Sequence, residues 1–460
     1  QFPPVYFDDS GIAQFHEIVV PTIPGEPRTL FVVTDITSAA VTGSTVQIGI
    51  LSADDVTVKA PDQVSPIGFP IQTDEVPVVG RWLDPIQLTT TPPGTDLWYS
   101  WRPETAVCLV TGNVYVVWDS NRNGDGDVFL QRSTDQGTTF ENPVQLDSST
   151  ANEFYPDVQV DSVGTVHVVY YSTQISANNR EVFYVRSKDF GQTFEAPVRL
   201  TNAPRDSRLP KLAIAPDDSL NVAWHDDRDA NNDYDIYFMK SIDGGDTWGD
   251  TVQVCNTAPV SQEVAITVGG DGVIHITWEE PSGYSGGNVY YSQSTDGGLT
   301  FTSPFKINSG TFNNRGLHSD VGADDKGNVY VVFHYVPGGY SDADIVCRIS
   351  HDSGANWDPA FSLMDNSLPD SRPGISVRPD GSFVDIVFRR LEAESWNIYH
   401  THSDDGMATW SEPVNISFSL AGGATEPVVV RGANFNVFAF WYDVVDANGD
   451  SEVFYNRFIY

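Results

Sequence analysis

From about residue 80 onward, short runs of alternating apolar and polar residues follow one another, separated by polar turns. Alternation with a period of two places one set of side chains on each face of a strand. One order of elements recurs. An alternating strand comes first, as in TAVCLV (105–110) or KLAIAP (211–216). A second apolar strand ends in an aromatic, as in NVYVVWD (113–119), TVHVVYY (165–171), NVAWHDD (221–227) and VIHITWE (273–279). A polar loop leads to a third strand, such as DVFLQRS or DIYFMKS. A tight turn and a short fourth strand then close the unit, as in NPVQL (142–146) and APVRL (196–200). Four short strands per unit, repeated, predict the blades of a β-propeller.

The turn before each fourth strand sets the period. It reads STDQGTTF (133–140), SKDFGQTF (187–194), SIDGGDTW (241–248), STDGGLTF (294–301), SHDSGANW (350–357) and SDDGMATW (403–410). The central aspartates Asp135, Asp189, Asp243, Asp296, Asp352 and Asp405 stand 53 to 56 residues apart. These segments resemble the Asp-box (BNR) repeats of sialidases and many other secreted propellers. The resemblance runs from about residue 80 to 460 and implies the fold, with the box itself as turn hardware. Its Asp accepts hydrogen bonds within the hairpin, its Gly supplies a positive φ, and its aromatic packs between sheets. Asn356 in place of Thr, and Met407 in place of Gly, predict distorted turns in the fifth and sixth copies.

After the sixth box, residues 424–460 supply three more strands and no fourth. An unpaired edge is a liability. WLDPIQL (82–88) matches the missing fourth strand, as FENPVQL (140–146) does in the first unit. The expected fold is therefore all-β: a seven-bladed propeller over residues 81–460, its last blade closed by an N-terminal strand. Residues 1–80 carry no box. HEIVV (16–20), TLFVVTDI (29–36) and STVQIGILS (44–52) predict a β-rich extension or arm, which either packs on its own propeller or adds a strand to a neighbouring copy.

Composition narrows the function. The 62 acidic residues against 25 basic ones give a net charge of −37, which argues against nucleic acid and anionic membrane as partners. No run of 18 apolar residues encodes a membrane span. An acidic solvated shell and the resemblance together predict a secreted, extracellular or cell-surface protein. Cys108, Cys255 and Cys347 are odd in number and widely spaced, so they form no disulfide framework. No phosphate-binding Gly loop, zinc-spaced Cys/His set or Gly-x-Ser-x-Gly elbow occurs.

Two features remain as candidate chemistry. The loop WDSNRNGDGDVF (118–129) sets Asp119, Asn121, Asn123, Asp125 and Asp127 at the alternating positions of a calcium loop around Gly124. The third unit repeats the phase with Asp227, Asp229, Asn231, Asp233 and Asp235. Ca²⁺ is the expected cofactor, with hairpin Asx turns as the alternative. The second feature is the residue opening each inner strand: Arg102, Tyr155, Arg208, Gln262, His318, Arg372 and Thr425. Arginines there can hold a carboxylate or sulfate by paired hydrogen bonds. WRP (101–103) and RLP (208–210) resemble the Arg-Ile-Pro element of sialidases. The resemblance does not place the Tyr, Glu and Asp of that family's chemistry residue by residue in this chain. The expected function is a binding or structural module, taking a glycan or other copies of itself as partner, with assembly into an oligomer or filament through the N-terminal arm. The alternative is a carbohydrate-active enzyme at the channel mouth, either a sialidase or a polysaccharide lyase that uses His318 or a Tyr as base.

Overall fold

Strands with one residue in two apolar bury both faces only when sheets stack on either side. A computed structural model satisfies this need with seven antiparallel sheets, six of them built from consecutive chain, each packed on the next. It describes residues 81–90 and 99–459, less short loop segments at 177–178, 229–233, 257–259, 282–285, 314, 338–341, 365–367, 420–422, 433–435 and 447–448, and four two-residue strands further towards the N-terminus. The inner strands are Ser100–Val107, Glu153–Val160, Ser207–Ile214, Gln262–Val268, Gly316–Ala323, Asp370–Val377 and Thr425–Arg431. Blade 1 continues outward through Val114–Ser120, Asp127–Ser133 and Val144–Gln145, and blades 2 to 6 follow the same order.

The seventh sheet takes its outer strand from the other end of the propeller. Ile86–Gln87 pairs antiparallel with blade 7, Gln87 opposite Phe454 and Ile86 opposite Tyr455. Leu88 N–H donates to the Val453 carbonyl at 2.8 Å, and the Trp82 indole N–H donates to His400 Nδ1 at 3.2 Å. The expected closure by WLDPIQL is present. Trp82–Arg457 form one compact unit. Gln1–Arg81 with Phe458–Tyr460 form another, in which Thr45–Val46 pairs with Val76–Pro77 and Gly49–Ile50 with Ile71–Gln72. The predicted strands at 16–20 and 29–36 lie outside the described residues.

The core lies between blades, not within one. Val114, Val116, Trp118 and Phe129 of blade 1 share a buried cluster with Phe438, Phe440, Val453 and Tyr455 of blade 7. Similar clusters fill the other seams described, from blades 1 and 2 round to blades 5 and 6. All three cysteines are buried free thiols.

The box turns explain their own sequence. Asp243 accepts from Thr247 N–H at 2.8 Å, Thr247 Oγ1 at 2.5 Å and Ser241 Oγ at 2.8 Å. The box glycine also meets the neighbouring blade: a Cβ on Gly245 would sit 2.3 Å from the Tyr184 hydroxyl, and one on Gly298 2.3 Å from the Phe238 ring. Contrary to expectation, the two irregular boxes keep the same bonds. Asn356 Nδ2 donates to Asp352 Oδ2 at 2.7 Å, as the Thr hydroxyl does elsewhere. Met407 holds φ at +72° and donates its N–H to Ser403 Oγ at 2.8 Å. Space permits this because blade 5 carries Cys347 where blades 2, 3 and 4 carry Tyr184, Phe238 and Tyr291. Cys347 and Met407 belong to one buried cluster between blades 5 and 6.

Candidate functional site

Every inner strand is interrupted near its start. Pairing with the second strand slips between Trp101 and Glu104, Phe154 and Asp157, and Arg208 and Lys211, and likewise in the other four blades. At each slip one non-glycine residue takes a left-handed backbone: Arg102 (φ 52°), Tyr155 (51°), Leu209 (49°), Glu263 (53°), His318 (46°), Arg372 (52°) and Glu426 (50°). Such a conformation costs on the order of 1–3 kcal/mol per residue. A bulge re-aims the side chain beside it, and all seven residues are half-buried around one end of the central cavity. That cavity, of about 770 Å³, runs between the inner strands.

Arg102, Tyr155, His318 and Arg372 occupy this ring as expected. In blades 3, 4 and 7 the ring residue is one place later than the strand-opening pattern suggested: Leu209, Glu263 and Glu426 stand where Arg208, Gln262 and Thr425 were expected. Arg208 pairs with His225 across the strands. It lies 5.1 Å from the Tyr234 ring and donates to Asp206. The next residue carried the missed signal, because Pro103, Pro156, Pro210, Pro373 and Pro427 each follow the ring residue directly.

Sequence reasoning also missed a second ring. The aromatic ending each second strand is buried, and the residue after it is polar in all seven blades: Asp119, Tyr171, His225, Glu279, His334, Arg389 and Tyr442. Several of these hold the first ring of the next blade. Asp119 accepts the Tyr155 N–H at 3.4 Å, Glu279 the His318 N–H at 2.8 Å, and His334 Nδ1 the Arg372 N–H at 3.4 Å. Asp119 also accepts from Arg102 at 3.3 Å. The doublet of aromatic and titratable residue was visible in WD, WH and WE, but only the closed ring shows where its second member points.

Burial tunes these groups. It lifts Asp119 to about 6 against the opposing pull of Arg102. It lifts Glu263 to about 7, with the charges of Glu279 and Glu426 adding to the effect. Burial, helped by Arg372 and Arg389, lowers His334 to about 3. His225 falls to about 3 through burial and the Arg208 charge, and His318 is held well below its usual value. All three histidines are therefore neutral near pH 7. Neither ring nitrogen of His225 has a hydrogen-bond partner among the described residues. Deeper in the channel Lys211 contacts Glu104, whose carboxyl burial lifts to about 7. Asp157 and Asp320 accept backbone N–H groups of the adjoining blades, Leu212 at 2.7 Å and Ile375 at 2.9 Å.

The expected calcium-loop residues point in different directions. Asp119 is fully buried behind the ring, where it accepts from Arg102 and from the Tyr155 N–H. Asn121 Oδ1 accepts from Tyr99 N–H at 2.9 Å, and Asn123 Nδ2 donates to Asp127 Oδ2 at 3.0 Å. Asp127 Oδ1 accepts from Gln145 Nε2 at 2.9 Å, while Asp125 sits in the turn between the second and third strands. In blade 3 Asp227 pairs with Arg205 at 2.9 Å, and Asp235 accepts from Gln253 at 3.1 Å. Asp229, Asn231 and Asp233 lie outside the described residues. Among the described residues no three His, Cys, Asp or Glu side chains gather as a metal-holding group.

No protein-family model matches the chain, and none of the curated proteins does. Solved structures do. A crystal structure of a protein of unknown function from Dyadobacter fermentans superposes with a TM-score of 0.53 at 14% identity, covering 83% of this chain and 99% of that one. An ulvan lyase from a new polysaccharide lyase family gives 0.53 at 11% identity, over 81% of this chain and 95% of its own. A Hadza microbial sialidase gives 0.46 at 18% identity, over 64% and 66%. At these identities the likeness is one of fold.

Proposed function

We propose that this chain binds an acidic glycan at the mouth of its central channel. The observation that carries the reading is the pair Arg102 and Arg372, set by bulges on the half-buried ring at the mouth and supported from behind. A guanidinium fork fits a carboxylate or sulfate with two parallel hydrogen bonds. Arg102 lies over the Tyr155 ring at 3.8 Å, so its plane is fixed before a ligand arrives. Arg372 contacts Glu426 on the same ring, and a ligand anion bound there shares or replaces that partner. On a protein of net charge −37, attraction of an anion has to be local, and these bulges supply it.

The test is calorimetry against uronic oligosaccharides, sulfated glycans, sialosides and neutral glucans at moderate salt. Binding confined to the acidic ligands, and lost in Arg102→Ala and Arg372→Ala, is expected. Equal binding of neutral glucans by all three proteins would overturn the reading.

A second reading is favoured by one neighbour relationship. His318 and Arg372 occupy adjacent ring positions, and the His318 ring lies 4.9 Å from that of His334. A neutral imidazole beside an arginine suits β-elimination of a uronate: Arg372 holds the carboxylate and the imidazole takes the C5 proton. The C4–O bond then breaks as the C4=C5 double bond forms, and the departing oxygen takes a proton. Appearance of unsaturated uronate absorbance distinguishes this lyase from a binding module.

A further inference from the structure

We infer, building on the acidic-glycan reading, that the ligand is an extended chain lying across the mouth over blades 6, 7, 1 and 2, not a single sugar held in the channel. The two sides of the mouth differ in chemistry. On blade 6, Trp396 stands on the hairpin between the second and third strands, with the Arg389 guanidinium 4.2 Å from its ring centroid. On the seam of blades 7 and 1, Trp101 lies 6.2 Å from Tyr442 and stacks on Tyr99 at 4.3 Å. On blade 2 the Tyr155 ring carries Arg102 on one side and stacks on Tyr171 at 5.7 Å. Aromatic side chains that can pack on sugar rings thus alternate along this arc with guanidinium groups that can take the carboxylates of the chain, while Glu426 and Asp119 on the same arc are already paired with Arg372 and Arg102.

Blades 4 and 5 offer the opposite. Their ring positions hold Glu263 and His318, backed by Glu279 and His334. Two carboxyl groups and two neutral imidazoles give an anionic chain no cation to meet. The channel below is also unfavourable, since Glu104, Asp157 and Asp320 surround Lys211 there. A polyanion is thereby steered along one arc of the rim and kept from threading the pore. The proposed path crosses four blades, so its full contact needs an oligomer.

The experiment is a length series of oligouronides, from monosaccharide to octasaccharide, titrated by calorimetry into the protein. Affinity should rise with length. Trp396→Ala should lose about tenfold for the longest oligomer and little for the shortest, and Trp396→Phe should restore most of the loss. Glu263→Gln, on the other arc, should leave affinity unchanged or raise it. Circular dichroism and the melting temperature verify that each variant is folded. Affinity that does not grow with length, or a Trp396→Ala variant with unaltered length dependence, overturns the extended path while leaving the acidic-glycan reading intact. Absence of binding to every oligouronide by the unsubstituted protein overturns the extended path, and absence of binding to sulfated glycans and sialosides as well overturns both.

Discussion

The guanidinium carbon of Arg102 sits 3.8 Å from the centroid of the Tyr155 ring while its Nη1 donates to Asp119 Oδ2 at 3.3 Å. Two side chains, one from its own blade and one from the next, thus fix the orientation of a single cation. Arg102→Lys keeps the charge and loses both the flat stack and the fork. Calorimetry should record acidic-glycan affinity weakened about tenfold with the melting temperature little changed. An unaltered affinity would mean that the ring needs only charge at this position.

The box aspartates predict acid sensitivity. Hydrogen bonds from Thr247 and Ser241 hold Asp243 down to about 2, and Asp296 sits at about 2 for the same reason. A carboxyl depressed in the fold stabilises it above its unfolded value near 4, and that contribution disappears as pH falls through the folded value. Melting temperature should therefore fall steadily between pH 4 and 2, and Asp243→Asn should reduce the slope. A flat profile down to pH 2 would contradict the assignment.

Glu153 predicts the opposite slope at higher pH. Burial lifts its carboxyl to about 8, with the nearby charge of Asp147 adding to the effect. Its Oε1 accepts from Ser149 at 2.7 Å and Ser172 at 3.0 Å, and Oε2 has no hydrogen-bond partner among the described residues. A raised carboxyl contributes stability below its unfolded value, and this is lost as pH rises through 8. Denaturant unfolding should weaken from pH 5 to 8.5 by on the order of a few kcal/mol at most. Glu153→Gln should remove most of that dependence.

The pair Cys347 and Met407 should behave as exchanged volumes across one seam. Met407→Gly relieves a left-handed backbone but empties a buried site, for a net loss of roughly 1–3 kcal/mol. Cys347→Tyr alone overpacks the seam. The double substitution rebuilds the tyrosine-on-glycine contact of blades 2 and 4 and should recover much of the loss. A double-mutant cycle by denaturant unfolding measures this, and strict additivity would exclude the exchange.

Ring closure rests partly on Trp82. Its ring meets His400 edge-on at 4.9 Å, and its N–H donates to His400 Nδ1, whose Nε2 lies 2.9 Å from Asp385 Oδ1. Trp82→Ala should cost about 1–3 kcal/mol in denaturant unfolding, with Trp82→Phe in between. A neutral result for Trp82→Ala would assign the closure to the strand pairing of Ile86 and Gln87 alone.

The sequence by itself determined the repeat, the blade count and the closing strand. Each depends on local order: alternation decides which faces are buried, and six turns at a near-constant interval decide where blades begin. It also held the pore ring in disguise, because the residue before Pro in WRP, YP, LP, RP and EP is the one the bulge turns inward. Tertiary structure alone decided the register. A single bulged residue changes which side chain joins the ring, so Arg208 and Leu209 exchange the places that spacing suggests. Tertiary structure also decided which partners meet across seams. Asp119 reaches Tyr155 of the next blade, and Cys347 leaves room for Met407, through contacts between residues far apart in the chain that no local pattern encodes.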